Sequence, residues 1–178
     1  MRALLFVSII IVGLLFVSGC SDTYLIKEPK YYGSIHDRNT SGMLVSIPSS
    51  GVYYNITLLT PKVKSSELKG FTYNENKTTL IVNYTGLYNV FAHISTSGGN
   101  NQFYGVALGV NYDESIGKLY GCYDMRTTTT ISVGGFTFQC LIRLNRGDIL
   151  NLRVDDEAGT TADLLVRTYT LTAIMEDK

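Results

Sequence analysis

The side chains able to do chemistry are few and scattered. Two histidines occur, His36 and His93. Neither lies in the H-E-x-x-H or C-x-x-C setting that holds zinc, and a lone strand histidine is ordinarily structural. Carboxylates gather at Asp113-Glu114 and at Asp155-Asp156-Glu157. Both groups follow alternating apolar segments, which places them in loops. Oxygen-rich loops suit calcium, which takes about six to eight hard oxygen ligands. Asp155, Asp156 and Glu157 are therefore weak metal candidates, and solvated turns account for them without an ion. Paired acids for glycoside hydrolysis need a cleft between them, and the sequence gives no sign of one. The Gly-x-Ser-x-Gly elbow, the P-loop and the dinucleotide fingerprint are missing from the sequence. No catalytic residue and no cofactor is expected. Thirteen tyrosines and no tryptophan leave another chemistry, recognition. Tyr31, Tyr32, Tyr53, Tyr54, Tyr120 and Tyr123 could form a binding face, because tyrosine is large, stiff and amphipathic, or could simply pack the fold. Lys+Arg and Asp+Glu are 15 each, and a neutral chain argues against nucleic acid as a partner.

Cys20 has a different setting. Met1-Arg2 is followed by an uncharged, mostly apolar run from Ala3 to Phe16. That run is short for a membrane span of ~20 residues and right for a signal-peptide core. Val17-Ser18-Gly19-Cys20 then resembles the bacterial lipobox, whose cysteine is acylated after cleavage before it. The resemblance implies a signal peptide over 1–19, a lipidated Cys20, and an exported chain anchored to the cell membrane or outer membrane. Two acyl chains anchor stably, at ~0.8 kcal/mol per buried methylene. Export makes a Cys122–Cys140 disulfide plausible; two buried free thiols are the alternative.

These groups must be positioned by strands. From Gly51 onward apolar residues recur at every second position: Tyr88, Val90, Ala92 and Ile94; Tyr104, Val106, Leu108 and Val110; Phe136, Phe138, Cys140, Ile142 and Leu144; Leu150, Leu152 and Val154; Tyr169, Leu171 and Ala173. Turn signals such as Thr85-Gly86, Gly134-Gly135 and Asn145-Arg146-Gly147-Asp148 separate them. No long helical period follows residue 20. All three prolines (Pro29, Pro48, Pro61) lie in the first 61 residues and none occurs afterwards, as expected for interior strands whose N–H groups must pair. The pattern predicts an all-β, antiparallel β-sandwich or jelly roll over 51–178. Residues 20–50 read as the lipidated cysteine and a tether, with a possible first strand at Tyr31 to Ile35.

Gly86-Leu87-Tyr88-Asn89-Val90 is similar to the Gly-x-Tyr-x-Phe/Val strand opening of the tumour-necrosis-factor and complement-one-q globular-head superfamily. Asn111 matches the asparagine that ends a strand there. Leu144 to Leu152, with Gly147-Asp148 at its centre, resembles the Leu-x-x-Gly-Asp-x-Val-x-Leu turn, and Thr168 to Met175 resembles the closing strand. Glycine allows positive φ and aspartate can cap the turn amides. The nearest look-alikes are jelly-roll modules of phage particles and prokaryotic surfaces. The resemblance implies about ten strands and a homotrimer. Gly105, Ala107 and Gly109 leave one strand face almost bare, which invites a neighbouring subunit. Phe91 and His93 are expected beside it in the trimer interface. The function expected is a non-catalytic, lipid-anchored surface head for binding a protein or glycan, or for structural assembly. A phage or prophage virion structural or receptor-binding module is one alternative, and a carbohydrate-active enzyme is a second.

Overall fold

The computed structural model describes residues 30–58, 67–97, 102–112, 119–128 and 134–176. The expected signal segment 1–19, Cys20 and the Asp113-Glu114 pair lie outside them. Eleven strands occur among the described residues: β1 Tyr32–Val45, β2 Tyr54–Asn55, β3 Leu68–Lys69, β4 Phe71–Asn74, β5 Thr79–Val82, β6 Gly86–Ser97, β7 Phe103–Val110, β8 Leu119–Thr127, β9 Gly134–Leu144, β10 Ile149–Asp156 and β11 Leu164–Met175. They form two antiparallel sheets. The first runs β3-β1-β11-β6-β9 and the second β4-β5-β10-β7-β8, with β2 also paired to β10. This is a jelly-roll β-sandwich.

Period-two alternation explains the core. Tyr88, Val90, Ala92 and Ile94 of β6 and Tyr169, Leu171 and Ala173 of β11 point inward from the first sheet. Leu80, Tyr104, Val106, Leu108, Leu150, Leu152 and Val154 meet them from the second. Each large apolar side chain fully buried this way contributes roughly 1.5–3 kcal/mol. Two of the buried tyrosines, Tyr88 and Tyr104, pair their hydroxyls with backbone carbonyls. Tyr88 donates to the Tyr84 carbonyl at 2.7 Å and Tyr104 to the Asp163 carbonyl at 3.1 Å.

Part of the segment expected to be a tether, residues 20–50, is strand. Tyr32–Val45 is a 14-residue strand inside the first sheet, between β3 and β11. Its register with β11 slips between Arg38 and Met43. This bulge spans the Asn39-Thr40-Ser41-Gly42 cluster, which reads locally as a turn. Gly42 takes φ +78° there. The jelly roll therefore begins at β1, ahead of the expected boundary at residue 51.

Candidate functional site

The bare face of β7 is the starting point. Across the β7–β10 ladder, Gly109 stands opposite Asn151, Ala107 opposite Arg153, and Gly105 opposite Asp155. A β-carbon on Gly109 would collide with the Asn151 carboxamide and press on Arg153 Cδ at 3.0 Å; one on Gly105 would meet Tyr53 Oη at 2.6 Å and Glu157 Oε1 at 2.8 Å. The small residues of β7 make room for the long polar residues of β10. Asn151, Arg153 and Asp155 are all buried, although alternation alone puts them on a solvent face.

The cover comes from Gly51 and Tyr53, which reach over this face, while Tyr54 to Ile56 run beside β10 in the plane of the sheet. The segment is pinned through β2 on β10 and by the Ile56 amide donating to the Leu152 carbonyl at 3.0 Å. Arg153 Nη1 donates to the Tyr53 carbonyl at 2.9 Å and Nε to Asn151 Oδ1 at 3.2 Å. The guanidinium lies over the Tyr112 ring, 3.8 Å from its centre. Asp155 Oδ2 accepts the Gly51 amide at 2.8 Å, and the Tyr53 hydroxyl donates to Glu157 at 2.5 Å. Burial first, then the hydrogen bond and charge of Glu157, hold the Tyr53 phenol well above its ordinary range. Burial likewise raises the Asp155 carboxyl; the Gly51 amide opposes this, and the Glu157 charge reinforces it. Beside Arg153 a cavity of about 320 Å³ reaches Tyr112 and Asn55.

This corrects the interface expectation. Gly105, Ala107 and Gly109 are covered by the chain's own Tyr53, Asn151, Arg153 and Glu157, and Ala107 is fully buried. Phe91 and His93 are not beside them. They lie on β6, in the other sheet. The acidic group is also placed differently. Asp155 and Asp156 end strand β10 and are buried, instead of standing in a solvated loop. They face opposite sides. Asp156 turns toward the 158–162 turn and accepts from the Ala158 amide at 2.9 Å, the Thr160 hydroxyl at 2.6 Å and the Ala162 amide at 2.8 Å. Burial opposes its ionised form, but these hydrogen bonds outweigh it and leave the carboxyl below its ordinary value. No cluster of three metal-ligating side chains occurs among the described residues.

The Gly147-Asp148 turn closes one end of the sandwich. Gly147 has φ +94°. Asp148 Oδ2 accepts the Asn145 amide at 2.7 Å, while Oδ1 accepts from Asn111 Nδ2 at 2.7 Å. Asn111, itself at φ +49°, accepts the Ile149 amide at 2.8 Å. The turn thus clamps the end of β7 to the start of β10. At the opposite edge of each sheet, a disulfide joins Cys122 of β8 to Cys140 of β9. The two sheets are stitched where their edge strands meet.

The outer face of the first sheet is laid out by register. One row reads Tyr32, Ile174, Asn89, Leu141; the next Ser34, Thr172, Phe91, Gln139; the third His36, Thr170, His93, Thr137. Polar members pair locally: Ser34 with Thr172 at 2.9 Å, Gln139 with Asn89 at 2.9 Å and His93 with Thr137 at 2.8 Å. Phe91, Leu141 and Ile174 remain 41%, 61% and 38% exposed. Sequence reasoning missed Leu141 and Ile174. They stand on the polar side of otherwise regular alternation, and that was the available signal.

This two-sheet sandwich has counterparts among solved structures. Eiger TNF from S. frugiperda superposes with a TM-score of 0.59 at 15% identity, covering 83% of this chain and 94% of that one. The fold is a tumour-necrosis-factor-like jelly roll. The PRD1 vertex protein P5 shares this TNF-like jelly roll with a TM-score of 0.53 at 16% identity, over 84% of this chain and 99% of that one. No family model matches the chain, and no curated protein does. At these identities the TNF-like likeness is one of architecture.

Proposed function

We propose that the chain is a non-catalytic, lipid-anchored surface head that assembles as a homotrimer through the outer face of its five-stranded sheet. The observation that carries this reading is the exposed apolar group of Phe91, Leu141 and Ile174 on neighbouring strands of that face. Scattered exposed apolar residues are ordinary, whereas a contiguous group on a flat sheet face marks an interaction surface. The TNF-like fold supports assembly as a homotrimer. Phe91 and His93 keep their place in the interface; the glycines of β7 leave it. Light scattering on residues 31–178 tests the assembly. The expected mass is three chains, falling to one in Leu141→Arg with the β-rich circular dichroism unchanged. A wild-type monomer at micromolar concentration overturns the reading.

The likeness to PRD1 vertex protein P5 favours a second reading, a phage or prophage virion module. In that case the chain is a component of purified particles, and mass spectrometry of such particles detects it.

A further inference from the structure

The two ends of the sandwich differ. One end gathers the start of β1 and the turns β3–β4, β5–β6 and β9–β10. There the Asn83 amide donates to the Gly70 carbonyl at 3.1 Å, the Gly147 amide to the Val82 carbonyl at 2.7 Å, and the Arg146 amide to Thr85 Oγ1 at 3.0 Å. On this end Tyr31 and Tyr84 stack face to face, with ring centres 4.0 Å apart and planes 7° from parallel. Gly70, at φ +84°, leaves room for the pair; a β-carbon there would come within 2.6 Å of the Tyr31 ring. The Tyr84 carbonyl accepts the hydroxyl of buried Tyr88, which ties the turn to the core, yet Tyr84 itself is 48% exposed. Three exposed cations stand around the rings: Lys30, whose Nζ lies 5.4 Å from the Tyr31 ring centre, Lys69 and Arg146. The carboxylates at this end, among the described residues, are Glu176 and Asp148, and Asp148 is turned to Asn145 and Asn111. The opposite end, where β10 passes to β11, carries Asp156, Glu157 and Asp163, and its Arg126 is paired with Asp124 at 2.9 Å.

The end with the stacked tyrosines is also the end nearest Cys20 along the chain. Lys30 is ten residues on from Cys20, and ten residues reach at most about 33–36 Å. The twelve residues of β6 alone extend about 40 Å. An anchor at Cys20 therefore keeps this end, and not the acidic one, within reach of a bilayer. Tyrosine suits a membrane interface, because its ring can sit at headgroup depth with the hydroxyl in water. Each lysine or arginine brought to an anionic lipid surface strengthens the contact by about fivefold.

We propose that this end of the head rests on an anionic bilayer, with Tyr31 and Tyr84 at headgroup depth and Lys30, Lys69 and Arg146 on lipid phosphates. The proposal rests on the reading of the chain as lipid-anchored at Cys20, and it leaves the outer face of the five-stranded sheet free for assembly. The test is hydroxyl-radical footprinting, read by mass spectrometry, on the full lipidated chain in vesicles. One set is phosphatidylcholine alone and the other an equal mixture with phosphatidylglycerol. Tyr123, 56% exposed on β8, is the internal reference. On the mixed vesicles Tyr84 oxidation relative to Tyr123 is expected to fall about fivefold or more below its value on phosphatidylcholine. Lys69→Glu combined with Arg146→Glu should restore it; both side chains are exposed, so the core is untouched. Equal Tyr84 oxidation on the two vesicles overturns the proposal, as does protection that survives the double charge reversal, or Tyr123 protected as much as Tyr84. Flotation and the mass of the Cys20 peptide separate the two readings. A chain that floats with the vesicles and leaves Tyr84 open sinks only this inference; a Cys20 peptide without acyl mass sinks the anchor and this inference with it.

Discussion

Gly147 takes φ +94° with open space where a β-carbon would stand. A side chain there meets no neighbour, so the cost of replacing it is conformational. Gly147→Val should lower stability by ~1–3 kcal/mol, visible in the urea midpoint; an unchanged midpoint would mean the turn readjusts freely. Asp155 has the opposite interest. Its carboxyl is raised on folding, so the protonated form suits the native state better than the ionised one. That penalty is absent below the ordinary carboxylate range near ~4 and grows as pH rises through the raised value. Asp155→Asn keeps an acceptor for the Gly51 amide and removes the charge. It should melt higher than wild type at neutral pH and converge with it at about pH 3. The Asp156 charge is among the causes that raise Asp155, so the variant also relieves that repulsion. Ala107 illustrates a revised expectation. It was expected to face a neighbouring subunit, but Ala107 is fully buried opposite Arg153, so Ala107→Arg should unfold the monomer.

At the level of strands, β8 and β9 are the edges of different sheets, held by the Cys122–Cys140 disulfide with a sequence separation of 18. A loop near that length gives about 3 kcal/mol of stabilisation in the chain-entropy account. Denaturant curves with and without reductant should differ by roughly that much, and a Cys122→Ser, Cys140→Ser double variant should follow the reduced curve. Which strands were legible has a physical reason. β6, β9 and β11 each bury one face, so their alternation reads directly. β7 and β10 are covered on both sides. Asn151, Arg153 and Asp155 look like a solvent face until Gly51 and Tyr53, far away in sequence, reach over them. β1 was hidden for a local reason, because its bulge carries turn-forming residues. The small-residue face of β7 was legible as a face needing cover; its cover was not, since register between β7 and β10 decides it.

The whole molecule, on this reading, is a head held to a membrane by Cys20. Cys20→Ser should move the chain from the detergent-extracted fraction to a soluble or unprocessed form; a variant still cleaved at the same bond and still membrane-bound would remove the anchor. The fold was recognisable from the Gly147-Asp148 turn and the strand spacing, because both are local. The apolar face of Phe91, Leu141 and Ile174 emerges only when β11, β6 and β9 stand side by side. The place of β1 has a consequence in time. It lies inside its sheet with β11 on one flank and the two-residue β3 on the other. Of the described strands β1 is synthesised first, and it waits for its principal partner β11, the last of them, to be made. Until Leu164 to Met175 arrives, β1 and β6 both expose unpaired backbone to any strand that passes. A chain cut short before Leu164 would therefore not be a smaller head; it would be two unfinished edges prone to pairing with other copies.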